Sequence, residues 1–181
     1  AHDQGRITHR DPRCSAGAVA IAGAVALAVR SKKIEAGPFL SQLADWAARI
    51  EGSLATSLRQ LARWMHLPPE EVVTLITRIG QNPDYPDEWR GISPFVTTSV
   101  LWSLYSFLRS PEDYWETVCT AIAVGGDVDT TAAMAGAISG AHLGVNELPR
   151  QLSRRVTDRG TWGFDELVEL AHLCHRLRTH Q

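Results

Sequence analysis

The sequence predicts an all-α fold, and three observations carry that expectation. Apolar residues recur three and four positions apart along nearly the whole chain, the spacing that keeps side chains on one helix face. Pro, Ser, Asp and Glu stand before these stripes and glycine after them, as helix starts and stops require. No stretch alternates apolar and polar residues as a half-buried strand does. No Pro/Gly/Ser linker divides the 181 residues, so helices around one core, in a single domain over residues 1–181, is the economical architecture.

The elements follow in order. Residues 15–30 are alanine-rich and read as one continuous helix. Phe39, Leu43, Trp46, Ala47 and Ile50 form the next stripe, with Gly52 as its stop. Leu54, Leu58, Leu61, Ala62 and Met65 form another, ending before Pro68-Pro69. Pro69, Glu70 and Glu71 begin a helix carrying Val72, Val73, Leu75, Ile76 and Ile79, which Gly80 closes. Residues 81–93, rich in Pro, Asp, Asn and Gly, read as a loop in which Asp84, Asp87 and Glu88 are solvated. Pro94 opens a helix through Val96, Val100, Leu101, Leu104, Phe107 and Leu108. Ser110-Pro111-Glu112-Asp113 is a start pattern for the helix bearing Tyr114, Trp115, Val118, Cys119, Ile122 and Ala123. A small-residue helix follows Gly125-Gly126 and runs to about Gly144; residues 146–162 are mixed and polar. A last helix from Phe164 carries Leu167, Leu170, Ala171, Leu173, Cys174 and Leu177. Trp46, Trp64, Trp102 and Trp115 lie on apolar stripes, which predicts core positions for all four.

Composition narrows the partners. Lys and Arg number 18 against 20 Asp and Glu, for a net charge of −2. No basic run exceeds Lys32-Lys33 or Arg154-Arg155, so nucleic acid is not an evident partner. The apolar run 16–29 falls short of the roughly 20 residues a membrane span needs and reads as a core helix. Cys14, Cys119 and Cys174 have no metal-type spacing; buried free thiols in a reducing, cytoplasmic setting are expected. The polar start shows no secretory signal. Its first residue is Ala rather than Met, which suggests a processed or truncated product.

Chemistry concentrates in one run, Gly125-Gly126-Asp127-Val128-Asp129-Thr130-Thr131, leading into Ala132-Ala133-Met134-Ala135-Gly136-Ala137-Ile138-Ser139-Gly140-Ala141. Carboxylates and hydroxyls at this density suit a hard divalent cation. Asp127 and Asp129, two apart, would point to nearly opposite sides of a regular helix. They can meet one ion only with Asp127 in the loop or at the N-cap and Asp129 in the first turn. Two carboxylates about 5 Å apart repel by roughly 3 kcal/mol at an effective dielectric near 20, which a cation reverses. The same residues also serve as ordinary N-cap and first-turn groups. Gly136, Gly140 and Gly144 share one helix side, where they would let a neighbour pack tightly and so fix the aim of the aspartates.

The whole run resembles the C-terminal motif of the ADP-ribosylglycohydrolase family, Gly-Gly-Asp-x-Asp-Thr followed by a small-residue helix ending in Gly-Ala-x-x-Gly. The resemblance implies an orthogonal multi-helix domain and a hydrolase that cleaves the glycosidic bond between ADP-ribose and a protein side chain or small acceptor. It implies Mg²⁺ or Mn²⁺, as a binuclear centre, held in part by Asp127, Asp129 and Thr130, with Asp127 and Asp129 as catalytic carboxylates. Thr8-His9-Arg10-Asp11-Pro12-Arg13 is similar to the family's Thr-His-x-Asp segment and implies that His9 lines the ADP-ribose site. On the residues alone, Thr8 and Asp11 could simply cap the helix that follows. Gly91-Ile92-Ser93-Pro94-Phe95-Val96 resembles a glycine-led loop that packs on the adenosine half of the ligand. Gly91 would allow close approach, and Ile92 or Phe95 would offer an apolar face; Phe95 in the core is the alternative. Ser93-Pro94 departs from the family's glycine there.

The family's N-terminal half, with a Thr-Asp-Asp run and an upstream Glu, has no counterpart in these residues. The resemblance therefore implies an incomplete domain, inactive alone, with at most half of a binuclear site. A non-catalytic ADP-ribose-binding relative and a crystallin-like structural relative on the same scaffold are the alternatives; the second would be expected to lack the two aspartates.

Overall fold

The computed structural model describes residues 1–80 and 89–179. Asp84, Asp87 and Glu88 lie outside the described residues, as does most of the loop expected at 81–93. The chain forms two compact units, Ala1–Glu147 and Leu148–Gln181.

The first unit begins with a single turn, α1 (His2–Gly5). The next helix, α2 (Pro12–Arg30), starts three residues earlier than the alanine run suggests. Asp11 accepts a hydrogen bond from the Arg13 backbone N–H, and Pro12 needs no N–H partner in the first turn. Then come α3 (Ala36–Ala48) and α4 (Gly52–Trp64). Gly52 is not a stop: it opens α4, because Glu51 caps that helix by accepting from the Ser53 and Leu54 N–H groups. The stripe ends instead in a turn at Arg49–Ile50. Pro68 and Pro69 set the start of α5 (Pro69–Ile76) as expected. The next two helices are α6 (Val96–Arg109) and α7 (Tyr114–Ala123), the latter capped by Asp113 accepting from the Glu116 N–H. The small-residue helix is α8 (Val128–Leu143), and a 3₁₀ turn follows at Val145–Glu147. Gly144 has nothing within 4 Å of a built Cβ and sits at φ +85°, so it ends α8 rather than packing a neighbour.

α6 is the centre of this unit. Every residue from Thr97 to Leu108 is buried, so its polar groups need internal partners. The Trp102 indole N–H donates to the Ala121 carbonyl at 3.0 Å, and the Tyr105 hydroxyl to the Leu67 carbonyl at 2.7 Å. The Ser103 hydroxyl is within reach of the Ser99 and Thr131 carbonyls, at 2.8 and 3.1 Å. On α2, Ala16, Ala20, Ala24 and Ala28 repeat every fourth residue and are at most 1% exposed. That stripe lets neighbouring helices come close. A Cβ on Gly17 would lie 2.5 Å from Val96 Cγ2, and one on Gly23 would lie 2.6 Å from Trp46 Cε3. By length and composition α2 is also apolar enough to cross a membrane, but its alanine face is packed into this core.

Two core expectations are corrected. Trp102 is buried and Trp46 and Trp64 half-buried, but Trp115 is 52% exposed, on the outer side of α7. The cysteines are free, yet Cys14 and Cys119 are only half-buried and Cys174 is exposed. An apolar stripe read at helical spacing is wider than the face a helix buries, so its margins reach solvent.

The second unit holds one turn of helix, α9 (Arg150–Ser153), a two-stranded antiparallel hairpin and the last helix. The strands are β1 (Thr157–Asp158) and β2 (Trp162–Gly163), in a stretch that the sequence presents as merely polar. Arg159 and Gly160, both at positive φ, make the turn. β2 runs directly into α10 (Phe164–Thr179), where the Glu166 carboxylate accepts from the Gly163 N–H at 2.9 Å.

Candidate functional site

The two aspartates stand where a shared ion requires them. Asp127 occupies the N-cap position of α8 with φ −79° and ψ 62°, and Asp129 lies in the first turn. The Asp127 carboxylate makes no capping hydrogen bond to the helix, so it is not used as an ordinary cap. It is half-buried, whereas Asp129 and Thr130 are exposed. Asp127 comes within hydrogen-bonding range of Asp129, and the Thr130 N–H donates to Asp129 Oδ1 at 2.9 Å. The Asp127 carboxyl, while it carries a proton to donate, and then the Thr130 N–H hold the Asp129 carboxyl below its ordinary value.

What fixes Asp127 is a backbone bridge. Ile92 and Gly126 pair in parallel. The Ile92 N–H donates to the Gly125 carbonyl at 3.2 Å, and the Asp127 N–H donates to the Ile92 carbonyl at 2.7 Å. The two glycine segments touch main chain to main chain. A Cβ on Gly91 would overlap Val124 and Gly125 backbone atoms, and one on Gly126 would overlap the Ile92 carbonyl. Both residues also sit at positive φ, +86° and +89°, where a side chain is strained even without the overlap. The close approach that Gly91 permits is therefore to Gly125 and its neighbour.

Ile92 is corrected for the same reason. Its side chain is fully buried in the core, so it offers no apolar face to a ligand, and its contribution is the backbone bridge. Strand-like pairing sends successive side chains to opposite sides, and the core takes this one.

His9, Phe95 and Thr130 come together on one open cleft of about 910 Å³. Its walls include Asp11, Cys14, Gly17 and Ile21 from the start of α2, Val96 and Ser99 from α6, and Met134 from α8. His9 is exposed, and the Thr8 hydroxyl lies 2.8 Å from its Nδ1. Asp11 serves as the α2 cap, so capping and a cleft-facing His9 coexist. Gly91 borders a separate cleft of about 500 Å³ with Glu70, Thr74, Arg78 and Trp89. Arg13 and Met134 stand inside the two quoted runs without an assigned role, and the sequence presents Cys14 only as a thiol. The only signal for these three is proximity in the chain to His9 and Asp129.

As a cation site the arrangement is partial. Two carboxylates and a hydroxyl suit Mg²⁺ or Mn²⁺. Among the described residues, however, no group of three or more His, Cys, Asp or Glu is gathered. Asp127, Asp129 and Thr130 fit one side of a centre.

A predominantly helical chain with two aspartates at the head of a small-residue helix points to a class, and its relatives agree with it. The chain belongs to the ADP-ribosylglycohydrolase family, whose profile matches residues 1–181. It is similar to ADP-ribosylhydrolase ARH3 of Homo sapiens, 29% identical over 191 residues that cover 95% of this chain and 50% of that protein. The Mus musculus protein of the same name is 29% identical, covering 95% of the chain and 49% of its own length. A shorter match to ARH3 of Danio rerio is 41% identical over 64 residues, covering 35% of the chain and 17% of that protein. The chain spans about half the length of the curated relatives it matches.

Proposed function

We propose that this chain contributes one wall of the active site of a metal-dependent hydrolase that releases ADP-ribose from a protein side chain or small acceptor. The observation that carries the proposal is the convergence of Asp127 and Asp129 at the α8 start, beside a cleft shared by His9, Phe95 and Thr130. Asp127, Asp129 and the Thr130 hydroxyl would hold Mg²⁺ or Mn²⁺. Such a cation, when bound, supplies charge to orient ribose hydroxyls and polarise a water. His9 would hydrogen-bond a phosphate or ribose hydroxyl, a role supported by its exposure on the cleft wall. Phe95 gives an apolar face for a base. Gly91 acts through the bridge that seats Asp127, not through the ligand.

The test is Asp129→Asn in the full protein. Turnover of an ADP-ribosylated substrate and metal affinity should both fall, with far-UV circular dichroism unchanged. Wild-type turnover at both limiting and saturating metal would refute the assignment. A second reading is a relative that binds ADP-ribose without cleaving it, using His9 and Phe95 on the same cleft. Calorimetric titration with ADP-ribose beside a product assay separates the two. The crystallin-like reading predicts lost ligands, and Asp127 and Asp129 are both present.

A further inference from the structure

The cleft has two walls from distant parts of the chain, and one side chain ties them together. Arg13 lays its fork on Asp11, with Nε 3.0 Å from Oδ1 and Nη2 2.6 Å from Oδ2. The same guanidinium lies over the Phe95 ring, its Cζ 5.1 Å from the centroid. Gly80 backs the ring elsewhere: a Cβ there would lie 2.9 Å from Phe95 Cε1. The Phe95 backbone is already fixed, since its carbonyl accepts from the Ser99 N–H at 3.1 Å and the Thr98 hydroxyl at 2.9 Å. Its ring torsion is not fixed by those bonds. Among the described residues, Gly80 and Arg13 both lie against the ring.

We infer that Arg13 is a positioning residue for the ligand in this cleft. It joins the His9 wall, through Asp11, to the Phe95 wall, through its stacked guanidinium, and so sets where the aromatic face stands. Arginine suits this task because its planar fork can bind a carboxylate in two places and still stack on a ring. Neither Arg13 nor Asp11 is required to touch the ligand. The inference rests on the reading of the cleft as an ADP-ribose site.

The test compares Arg13→Gln, Arg13→Lys and Asp11→Asn in the full protein. Arg13→Gln should raise KM, and the Kd for ADP-ribose, by about two- to fivefold, since re-ordering the freed ring on binding costs at most the one cation–π contact of about 1 kcal/mol that held it. Its kcat should stay within about twofold, since a loss of uniform binding leaves kcat alone. Asp11→Asn should reproduce the KM rise with only a small loss of Tm at neutral pH, because Asn keeps the helix cap and what is lost is a part-exposed ion pair to Arg13. Arg13→Lys should recover part of the affinity, keeping a cation over the ring without the fork. Wild-type affinity in both Arg13→Gln and Asp11→Asn overturns the inference, as does a loss confined to kcat. A wild-type protein that binds no ADP-ribose overturns the cleft reading and this inference together; tight wild-type binding with unaffected variants overturns this inference alone.

Discussion

Adjacent glycines at the head of α8 allow backbone strain to be separated from crowding. Gly125 and Gly126 both sit at positive φ, +74° and +89°. A Cβ on Gly125 would meet the Arg90 carbonyl oxygen at 3.8 Å, an ordinary contact. A Cβ on Gly126 would overlap the Ile92 carbonyl oxygen and lie 2.6 Å from the Ile92 nitrogen. Those atoms are main chain and cannot rotate away. Gly125→Ala should therefore cost only the left-handed conformation, about 1–2 kcal/mol. Gly126→Ala adds the loss of the bridge, whose two hydrogen bonds contribute about 1 kcal/mol each, for a total of about 3–4 kcal/mol. For a chain of this size that total is a fall in Tm of about 6–16 °C, against about 2–8 °C for Gly125→Ala. Urea unfolding followed by circular dichroism measures the difference directly, as a shift in midpoint at constant slope. Equal losses in the two variants would refute the view that backbone contact with Ile92 seats Asp127.

Two further outcomes are expected. Asp11 and Glu51 both have carboxyls held below their ordinary values. For Asp11 the causes are the side-chain and then the backbone hydrogen bond from Arg13; for Glu51, burial works the other way but is outweighed by bonds from Leu54 and Ser53. A depressed folded value stabilises above the unfolded value, near 3.9 for Asp and about 4.3 for Glu, and that stability is lost as pH falls through the folded value. An Asp11→Asn, Glu51→Gln double variant should thus lose less stability than wild type between pH 5 and pH 2, read from urea midpoints. With a thiol reagent at neutral pH, Cys174 should label before Cys14. Cys174 is exposed, whereas Cys14 is half-buried and burial pushes its thiol up, leaving less thiolate to react; equal rates would contradict this.

Much of the helical order was legible because it rests on local rules. Pro69 with Glu70 and Glu71, Asp113, and the Asp127–Asp129 spacing each state where a helix can begin. Gly52 was misread because glycine is permissive at both ends of a helix, and the deciding group was the Glu51 carboxylate beside it. The hairpin at 157–163 was missed because two residues per strand are too few to show alternation. Of the site residues, His9, Phe95 and Thr130 are joined by the fold on one cleft, Gly91 borders another, and the Ile92 side chain is buried in the core.

The sequence by itself determined that this chain is helical, where most helices start, and that two carboxylates stand at the head of one of them, because caps and periodicity act within a few residues. Only the tertiary structure decided what Gly91 and Gly126 are for, that Ile92 is buried, and that Arg13 links Asp11 to Phe95. Those outcomes depend on segments dozens of residues apart meeting, which no local spacing encodes.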